Sequence, residues 1–203
     1  MNRLKFTACL FFLVIIKVAI AQEIAGDPIA GNEKSKLCQG CHGQDGNSIN
    51  VLCPNLAGQR PDYLEKQILD FQTRNRIGSI MTGVSQSIIS IQDAKDIAAY
   101  FGNCKPKSSN SADNVGRTIF RDGIPDKGVT ACVTCHGENG KGRSDDNATY
   151  PVIGGQTKDY IAKQLIDLRS GYRHNDPDGV MRNITKKLTD DEIKSLADYV
   201  SEL

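Results

Sequence analysis

The amino-acid sequence predicts an all-α fold made of two tandem copies of one small domain. Three observations support this prediction. A motif of two cysteines and a histidine occurs twice, 94 residues apart. Several segments place apolar residues at helical spacing, and no segment shows the alternating pattern of a strand. A polar stretch without hydrophobic periodicity separates the two motifs, which predicts a linker at residues 106–112.

Length and composition describe an ordinary globular protein. The 203 residues fit one large domain or two small ones. Hydrophobic residues at 39% and charged residues at 24% exclude a collagen, a coiled coil or a disordered chain. The net charge of +1 provides no basic excess for nucleic-acid binding. Aromatic residues are only 6%, so we expect a bound apolar cofactor to fill part of each small core.

Residues 1–21 are predicted to be a cleaved signal peptide. Arg3 and Lys5 precede an apolar run at 8–16, and Ala19-Ile20-Ala21 is a small-x-small cleavage site. The alternative is a retained membrane anchor, but Lys17 interrupts the run before it reaches the roughly 20 residues that cross a bilayer. Export predicts a periplasmic protein in an oxidising compartment, soluble or at most peripherally associated with the membrane.

The rest of the chain reads as a tandem duplication. Further matches between the copies keep the same order at offsets of 97 to 100 residues. They are Gln59 and Gln156, Tyr63 and Tyr160, Gln67 and Gln164, Met81 and Met181, and Tyr100 and Tyr199. The predicted domains are therefore residues 22–105 and 113–203, called the first copy and the second copy below.

Both copies are predicted to be helical. The clearest helices are 62–72 and 91–101 in the first copy, and 115–121, 158–168 and 188–200 in the second. Thr189 and Glu192 form a capping-box pattern at the start of the last helix. A weaker candidate helix covers 28–37.

The repeated motif predicts covalently bound haem. Its two occurrences are Cys38-x-x-Cys41-His42 and Cys132-x-x-Cys135-His136. Two thiols so spaced can form thioethers with the two vinyl groups of one haem, and the adjacent histidine can ligate its iron. Thiol redox chemistry of the thioredoxin type would require a βαβ pattern, and a structural zinc site would require four ligands. The sequence lacks both patterns, so we predict two haem c groups.

The second axial ligand of each iron is predicted to be methionine. Apart from the initiator, the chain has only Met81 and Met181, which follow the motif histidines by 39 and 45 residues at matching positions of the repeat. Methionine also serves as a core gap-filler, but that role does not explain the matched placement. His174 is an alternative ligand for the second iron; without a counterpart in the first copy, it is interpreted as a loop histidine near the haem edge.

Two cysteines remain, Cys53 and Cys104, since Cys9 falls in the signal peptide. Both lie in the first copy. In an oxidising compartment they predict a disulfide within that domain. Two free thiols, or a cysteine ligand to haem iron, are the alternatives.

The two motifs, each followed by a Pro-x-Leu/Ile-x-Gly-Gln segment, a tyrosine-bearing helix and one methionine, resemble the di-haem cytochromes c of the cytochrome c4 family. The segment from Leu168 to Arg173 also resembles that family, whereas the first copy lacks the glycine of this segment. Gly116 and Phe120, with Tyr199, resemble the crossing of the terminal helices in class I cytochromes c. The resemblance covers essentially the whole mature chain and implies two class I cytochrome c domains, each around one haem.

The resemblance also implies periplasmic electron transfer, from a quinol-oxidising complex towards a haem–copper terminal oxidase. A di-haem enzyme, such as a thiosulfate-oxidising enzyme or a peroxidase, is the main alternative. Such an enzyme generally needs an exchangeable iron ligand, and here each iron has a methionine available. A dedicated subunit of a larger dehydrogenase or oxidase is a further alternative.

Overall fold

The computed structural model describes residues 25–107, 115–145 and 148–203, and within these ranges the chain is mainly helical. The helices are α1 Pro28–Lys34, α2 Lys36–His42, α3 Pro61–Gln72, α4 Met81–Val84, α5 Ile91–Asn103, α6 Val115–Asp122, α7 Val133–His136, α8 Lys158–Ser170, α9 Val180–Thr185 and α10 Asp190–Ser201. The strands are β1 Arg143–Ser144 and β2 Thr149–Tyr150. The predicted signal peptide and residues 108–112 of the predicted linker lie outside the described residues.

Local capping explains where several helices begin. The Asp27 carboxylate accepts hydrogen bonds from the first turn of α1, and the Ser90 hydroxyl accepts one from the first turn of α5. At α10 both halves of the capping box form, because Thr189 and Glu192 each bond the other's backbone N–H. This confirms the capping box that the sequence predicts and places the start of the helix at Asp190.

The structure differs from the sequence prediction in one broken helix, in the short helices α4, α7 and α9 that the sequence does not predict, and in one pair of strands. The candidate helix at 28–37 is broken at Ser35, whose φ of −90° and ψ of 6° end α1 before α2 begins. Ser35 is fully buried and its hydroxyl donates to the backbone oxygen of Asn32, so the bend is fixed by packing that the sequence pattern does not show. The last difference is the antiparallel pairing of the two-residue strands β1 and β2.

In each copy the first helix crosses the last one at a glycine. A Cβ added at Gly31 of α1 would lie 1.9 Å from the backbone oxygen of Asp96 in α5. A Cβ added at Gly116 of α6 would lie 2.0 Å from the backbone oxygen of Ser195 in α10. Only glycine permits so close an approach of two backbones. The crossing expected in the second copy is confirmed, and the first copy makes the same contact.

Each copy has its own apolar core. In the second copy the buried cluster contains Ile119, Phe120, Val129, Ile161, Leu188, Ile193, Leu196, Ala197, Tyr199 and Val200. In the first copy it contains Leu64, Ile97, Ala98 and Phe101. Among the described residues, no helix is long and apolar enough to cross a membrane.

Candidate functional site

The two motif histidines occupy equivalent positions, at the C-terminal ends of α2 and α7. His42 and His136 are 4% and 6% exposed. Nδ1 of His42 lies 2.9 Å from the backbone oxygen of Pro54, and Nδ1 of His136 lies 3.0 Å from that of Pro151. A carbonyl oxygen only accepts, so Nδ1 carries the proton and Nε2 keeps the lone pair that can bind iron.

Burial also sets the charge of these imidazoles. Removal from water lowers the pKa of His42 and of His136 below the ordinary histidine value, against a smaller opposite effect of the carbonyl hydrogen bonds. Both rings are therefore neutral at neutral pH. A neutral imidazole with a fixed tautomer is the form that ligates a metal.

The first cysteine of each motif lies beside the apolar core of its copy. Cys38 and Cys132 are half-buried and pack against the first and second clusters. Burial raises the pKa of the Cys38 thiol, and that of Cys132 to about 11. These thiols are protonated at neutral pH, unlike the thiolates of redox-active cysteines. Within the described residues, no group of three His, Cys, Asp or Glu side chains could hold a zinc ion.

The two methionines also take equivalent positions. Met81 is the first residue of α4 and Met181 the second residue of α9, and both side chains are half-buried. Four residues further on, Ser85 and Thr185 are fully buried. Their hydroxyls donate to backbone oxygens one turn earlier, which fixes each short helix in place. Met81 and Met181 therefore have equivalent structural surroundings as well as equivalent positions in the repeat. Their ligation of iron stays a prediction.

His174 lies in an exposed loop between α8 and α9. Its Nδ1 is 3.4 Å from the backbone oxygen of Tyr172 in the same loop. This placement agrees with the interpretation of His174 as a loop residue.

The disulfide expected between Cys53 and Cys104 is wrong for this structure, because both are free thiols. The two residues have different neighbours. Cys53 lies beside Cys41 in the loop after α2, whereas Cys104 caps α5 and its thiol donates to the backbone oxygen of Tyr100 at 3.4 Å. The alternative of two free thiols describes the structure.

The two copies contact each other through reciprocal glutamine bonds. The Gln59 side chain donates to the backbone oxygen of Val152 and accepts from its N–H, both at 2.8 Å. The Gln156 side chain makes the same pair of bonds to the backbone of Asn55, at 2.9 and 2.7 Å. Each residue has its counterpart 97 positions away, so the interface has an approximate two-fold symmetry.

Two arginines cross this interface in the same reciprocal way. Arg76 of the first copy donates to the Tyr160 hydroxyl at 2.8 Å and to the Gln164 side chain at 2.7 Å. Arg173 of the second copy donates to the Tyr63 hydroxyl at 2.9 Å. Sequence analysis matched both tyrosines and Gln164 to the repeat but missed the arginines. The signal was present, because Arg76 and Arg173 are also 97 residues apart.

These guanidiniums give the interface an excess of positive charge. Among the described residues, the hydrogen-bond acceptors recorded for Arg76 and Arg173 are neutral hydroxyl and amide oxygens. Burial alone raises the pKa of Tyr63, but the nearby Arg173 and Arg76 lower it below its ordinary value. Arg76 is only 7% exposed, and a buried cation without a carboxylate partner favours an anionic group nearby. Haem carries two propionate carboxylates, so this cluster fits a haem edge.

Comparison with known proteins agrees with this geometry. The family model described as Cytochrome c matches residues 116–203. The chain is similar to cytochrome c4 of Thiocapsa roseopersicina, with 38% identity covering 88% of this chain and 93% of that protein. It is 40% identical to cytochrome c4 of Pseudomonas aeruginosa, covering 88% and 90%. The crystal structure of reduced recombinant cytochrome c4 from Pseudomonas stutzeri matches with a TM-score of 0.83 at 40% identity, covering 88% of this chain and 100% of that one.

The fold and the repeated motif define a tandem class I cytochrome c, with a covalently bound haem in each domain. The chain belongs to the cytochrome c4 family. It is therefore a di-haem c cytochrome and an electron carrier; the alternative of a di-haem enzyme is not supported by these relatives.

A relative at lower identity has a more specific description. The thiosulfate dehydrogenase electron acceptor of Stutzerimonas stutzeri is 29% identical over 85% of this chain and 81% of that protein.

Proposed function

We propose that this chain carries electrons one at a time in the periplasm, from a quinol-oxidising complex towards a haem–copper terminal oxidase. The supporting observation is the duplicated pair of a buried neutral histidine and a half-buried methionine at equivalent positions of both copies. In this proposal the domains are residues 22–105 and 113–203, joined by a linker at 106–112, after export directed by residues 1–21.

Each copy would hold one haem with the same four side chains. Cys38 and Cys41 would form the thioethers in the first copy, and Cys132 and Cys135 those in the second. His42 and Met81 would hold the first iron, and His136 and Met181 the second. When bound, each haem supplies one iron that takes up or releases one electron.

The protein's own groups prepare each site for electron transfer. The carbonyl oxygens of Pro54 and Pro151 hold the imidazole rings in one orientation and increase their basicity as ligands. Met81 and Met181 as second ligands would raise the potential relative to a second imidazole. With both ligands supplied by the protein, each iron would exchange electrons without binding substrate.

The interface between the copies keeps the two sites in a fixed relation. Arg76 and Arg173 would balance the propionate charges of the two haems, since the side chains that accept their hydrogen bonds in the described residues are neutral. The reciprocal hydrogen bonds of Gln59 and Gln156 to the opposite backbone hold the two copies together. We infer that an electron entering at one haem passes to the other across this interface.

Ligation can be tested by Met81→Ala and Met181→Ala, made separately in the holoprotein. Each change should open one iron, lower the potential of that haem and admit carbon monoxide to the reduced protein. Val180→Ala, beside Met181, is the control and should leave both potentials unchanged. A methionine variant that keeps its potential and stays closed to carbon monoxide would show that this methionine only fills the core.

The carrier function can be tested by rapid mixing. A reduced quinol-oxidising complex should reduce both haems, and an oxidised haem–copper oxidase should reoxidise both. Sustained turnover of thiosulfate or peroxide by the purified protein alone would contradict the proposal. The spectra of the same samples should show two thioether-bound haems per chain.

A second candidate donor is a thiosulfate dehydrogenase. The observation that favours it is the likeness to the thiosulfate dehydrogenase electron acceptor of Stutzerimonas stutzeri. Rapid mixing with a thiosulfate dehydrogenase and thiosulfate should then reduce both haems, whereas thiosulfate without that enzyme should not. The quinol-oxidising complex, tested in parallel, identifies the faster donor.

A further inference from the structure

The first copy has two long segments without any charged residue. They are residues 46–59, which follow the first motif, and residues 77–92, which include Met81. The equivalent segments of the second copy, 140–156 and 174–191, are rich in both signs of charge. Their charged residues are Lys141, Arg143, Asp145, Asp146, Asp176, Asp178, Arg182, Lys186, Lys187, Asp190 and Asp191.

The uncharged segments also expose large apolar side chains. In the first, Ile49 is 95% exposed, and Val51 and Leu52 are exposed too. In the second, Ile77 and Ile80 are exposed. We call these five residues the first-copy apolar surface. Single exposed apolar residues are normal, but several of them within uncharged segments favour an interaction surface.

Each part of this surface adjoins a residue of the first haem site. The loop with Ile49 is held against the motif, because the Ser48 hydroxyl donates to the backbone oxygen of Cys41 at 3.1 Å. Ile80 directly precedes Met81 at the start of α4. Cys41 and Met81 are residues that would hold the first haem, so each part of the surface adjoins one of them.

We propose that the first-copy apolar surface docks a redox protein whose own cofactor edge is surrounded by uncharged apolar side chains. This inference rests on the proposed function and adds the chemistry of one partner. The equivalent segments of the second copy are charged and are not part of this docking surface. The two copies thus present surfaces of different chemistry.

Charge complementarity favours this partner. A partner with charged side chains at the contact would bury them against a surface with no opposite charges, and unpaired buried charge is costly. A membrane surface is disfavoured, because binding to anionic lipid ordinarily uses lysine and arginine and both segments lack them. The surface also continues to the contact between the copies, where the Thr157 hydroxyl donates to the backbone oxygen of Val51.

The test is voltammetry of the holoprotein on gold coated with either a methyl-terminated or a carboxylate-terminated alkanethiol. The first-haem wave is the one that Met81→His moves. We expect that wave to be the faster of the two on the methyl surface, with a rate that changes less than about twofold between low and high salt. Ile49→Lys should slow it by about tenfold, equivalent to about 1.4 kcal/mol of lost contact.

Ile29→Lys is the matched control, since Ile29 is an exposed isoleucine of the first copy that lies in α1, outside both segments. It should leave the rate within about twofold of wild type. Equal effects of the two lysine variants, or strong salt dependence on the methyl surface, would overturn the proposal. So would a dimer that Ile49→Lys dissociates, or Ile49-dependent binding to phosphatidylcholine vesicles. Titration with soluble mediators separates the two hypotheses: if either haem fails to titrate reversibly, the carrier function itself is wrong.

Discussion

The two copies build the same helix crossing from different side chains. In the second copy the Phe120 ring packs against Tyr199, with ring centres 5.5 Å apart. At the position equivalent to Phe120, counted from the crossing glycine, the first copy has Ser35, and both residues are fully buried. The first copy instead stabilises its crossing with an ion pair between α1 and α5. In this pair Nζ of Lys34 lies 2.5 Å from Oδ2 of Asp96. The crossing thus depends on the glycine more than on the side chains beside it.

The copies also differ in how much apolar surface is buried within each of them. The buried cluster of the second copy is larger than that of the first, and more large apolar side chains are exposed in the first copy. Because burial of apolar area is the main stabilising contribution, we expect the first copy to open at a lower free energy than the second. The first copy then depends more on its haem and on its contact with the second.

The largest expected effect is that of Gly116→Ala and Gly31→Ala. A methyl group at either position would overlap a backbone oxygen, so the two helices must separate. We expect each change to destabilise its own copy by about 3 kcal/mol. Hydrogen exchange of peptides from α5 and α10 reports the two copies separately.

Gly83→Ala is the control for the glycine variants, because a Cβ at Gly83 meets no atom within 4 Å. It should change stability by less than about 0.5 kcal/mol. If Gly31→Ala is tolerated and Gly116→Ala is not, the first copy adjusts its crossing, and the equivalence of the two crossings is wrong.

A smaller difference between the two copies should appear in their stability at acid pH. Burial alone raises the pKa of Asp96, but hydrogen bonds from Lys34, the Asp27 N–H and Gln92 lower it below its ordinary value. A lowered pKa in the folded state contributes stability above the unfolded pKa of about 3.9, and this stability is lost as the pH falls through the folded pKa. We therefore expect α5 to lose exchange protection below about pH 4.

Asp96→Asn should lower the stability of the first copy at neutral pH and weaken its dependence on pH in this acid range. The control is Glu192→Gln in the second copy, where the neighbouring Lys127 is the main cause of a lowered Glu192 pKa. That change should affect α10 and leave the acid response of α5 unaltered. An unchanged pH profile in Asp96→Asn would show that another group, such as Asp93, determines it.

Much of this organisation follows from local sequence patterns. The sequence repeat predicts the two domains. The spacing of apolar residues predicts the bounds of five helices to within a few residues, namely α3, α5, α6, α8 and α10. The capping box at Thr189 is a contact between residues three apart, so the sequence alone determines it.

Other features depend on contacts that no local pattern records. The bend at Ser35 results from burial against the rest of the first copy. The hydrogen bond between Arg76 and Tyr160 joins residues 84 positions apart. The only indication of it in the sequence is that Arg76 and Arg173 are separated by the repeat offset of 97 residues. The expected disulfide failed for the same reason, since residue counting and compartment do not give the neighbours of Cys53 and Cys104.

The reciprocal glutamines test how symmetric the interface is. Gln59→Ala and Gln156→Ala each remove two hydrogen bonds to the opposite backbone, which should cost about 2 kcal/mol of interface stability. If the two glutamines contribute equally to the interface, as its two-fold geometry suggests, the losses of stability in Gln59→Ala and Gln156→Ala should agree within about 0.5 kcal/mol. Exchange of the peptides at 54–59 and 151–157 measures both. Gln86→Ala, which loses one exposed bond within the first copy, should leave these peptides unchanged.

The smallest expected effect concerns Arg74, which follows the C-cap residue of α3. Arg74 has a φ of 61°, in the left-handed region, while Gly171 has a φ of 79° at the equivalent end of α8. Arginine in this region costs about 1 kcal/mol, whereas glycine adopts it without strain. We therefore expect Arg74→Gly to stabilise the first copy by up to about 1 kcal/mol, less the greater freedom that glycine adds to the unfolded chain. Gly171→Arg should destabilise the second copy by a similar amount, and exchange of α3 and α8 peptides measures both. Loss of stability in Arg74→Gly would mean that the Arg74 side chain contributes more than its backbone strain costs.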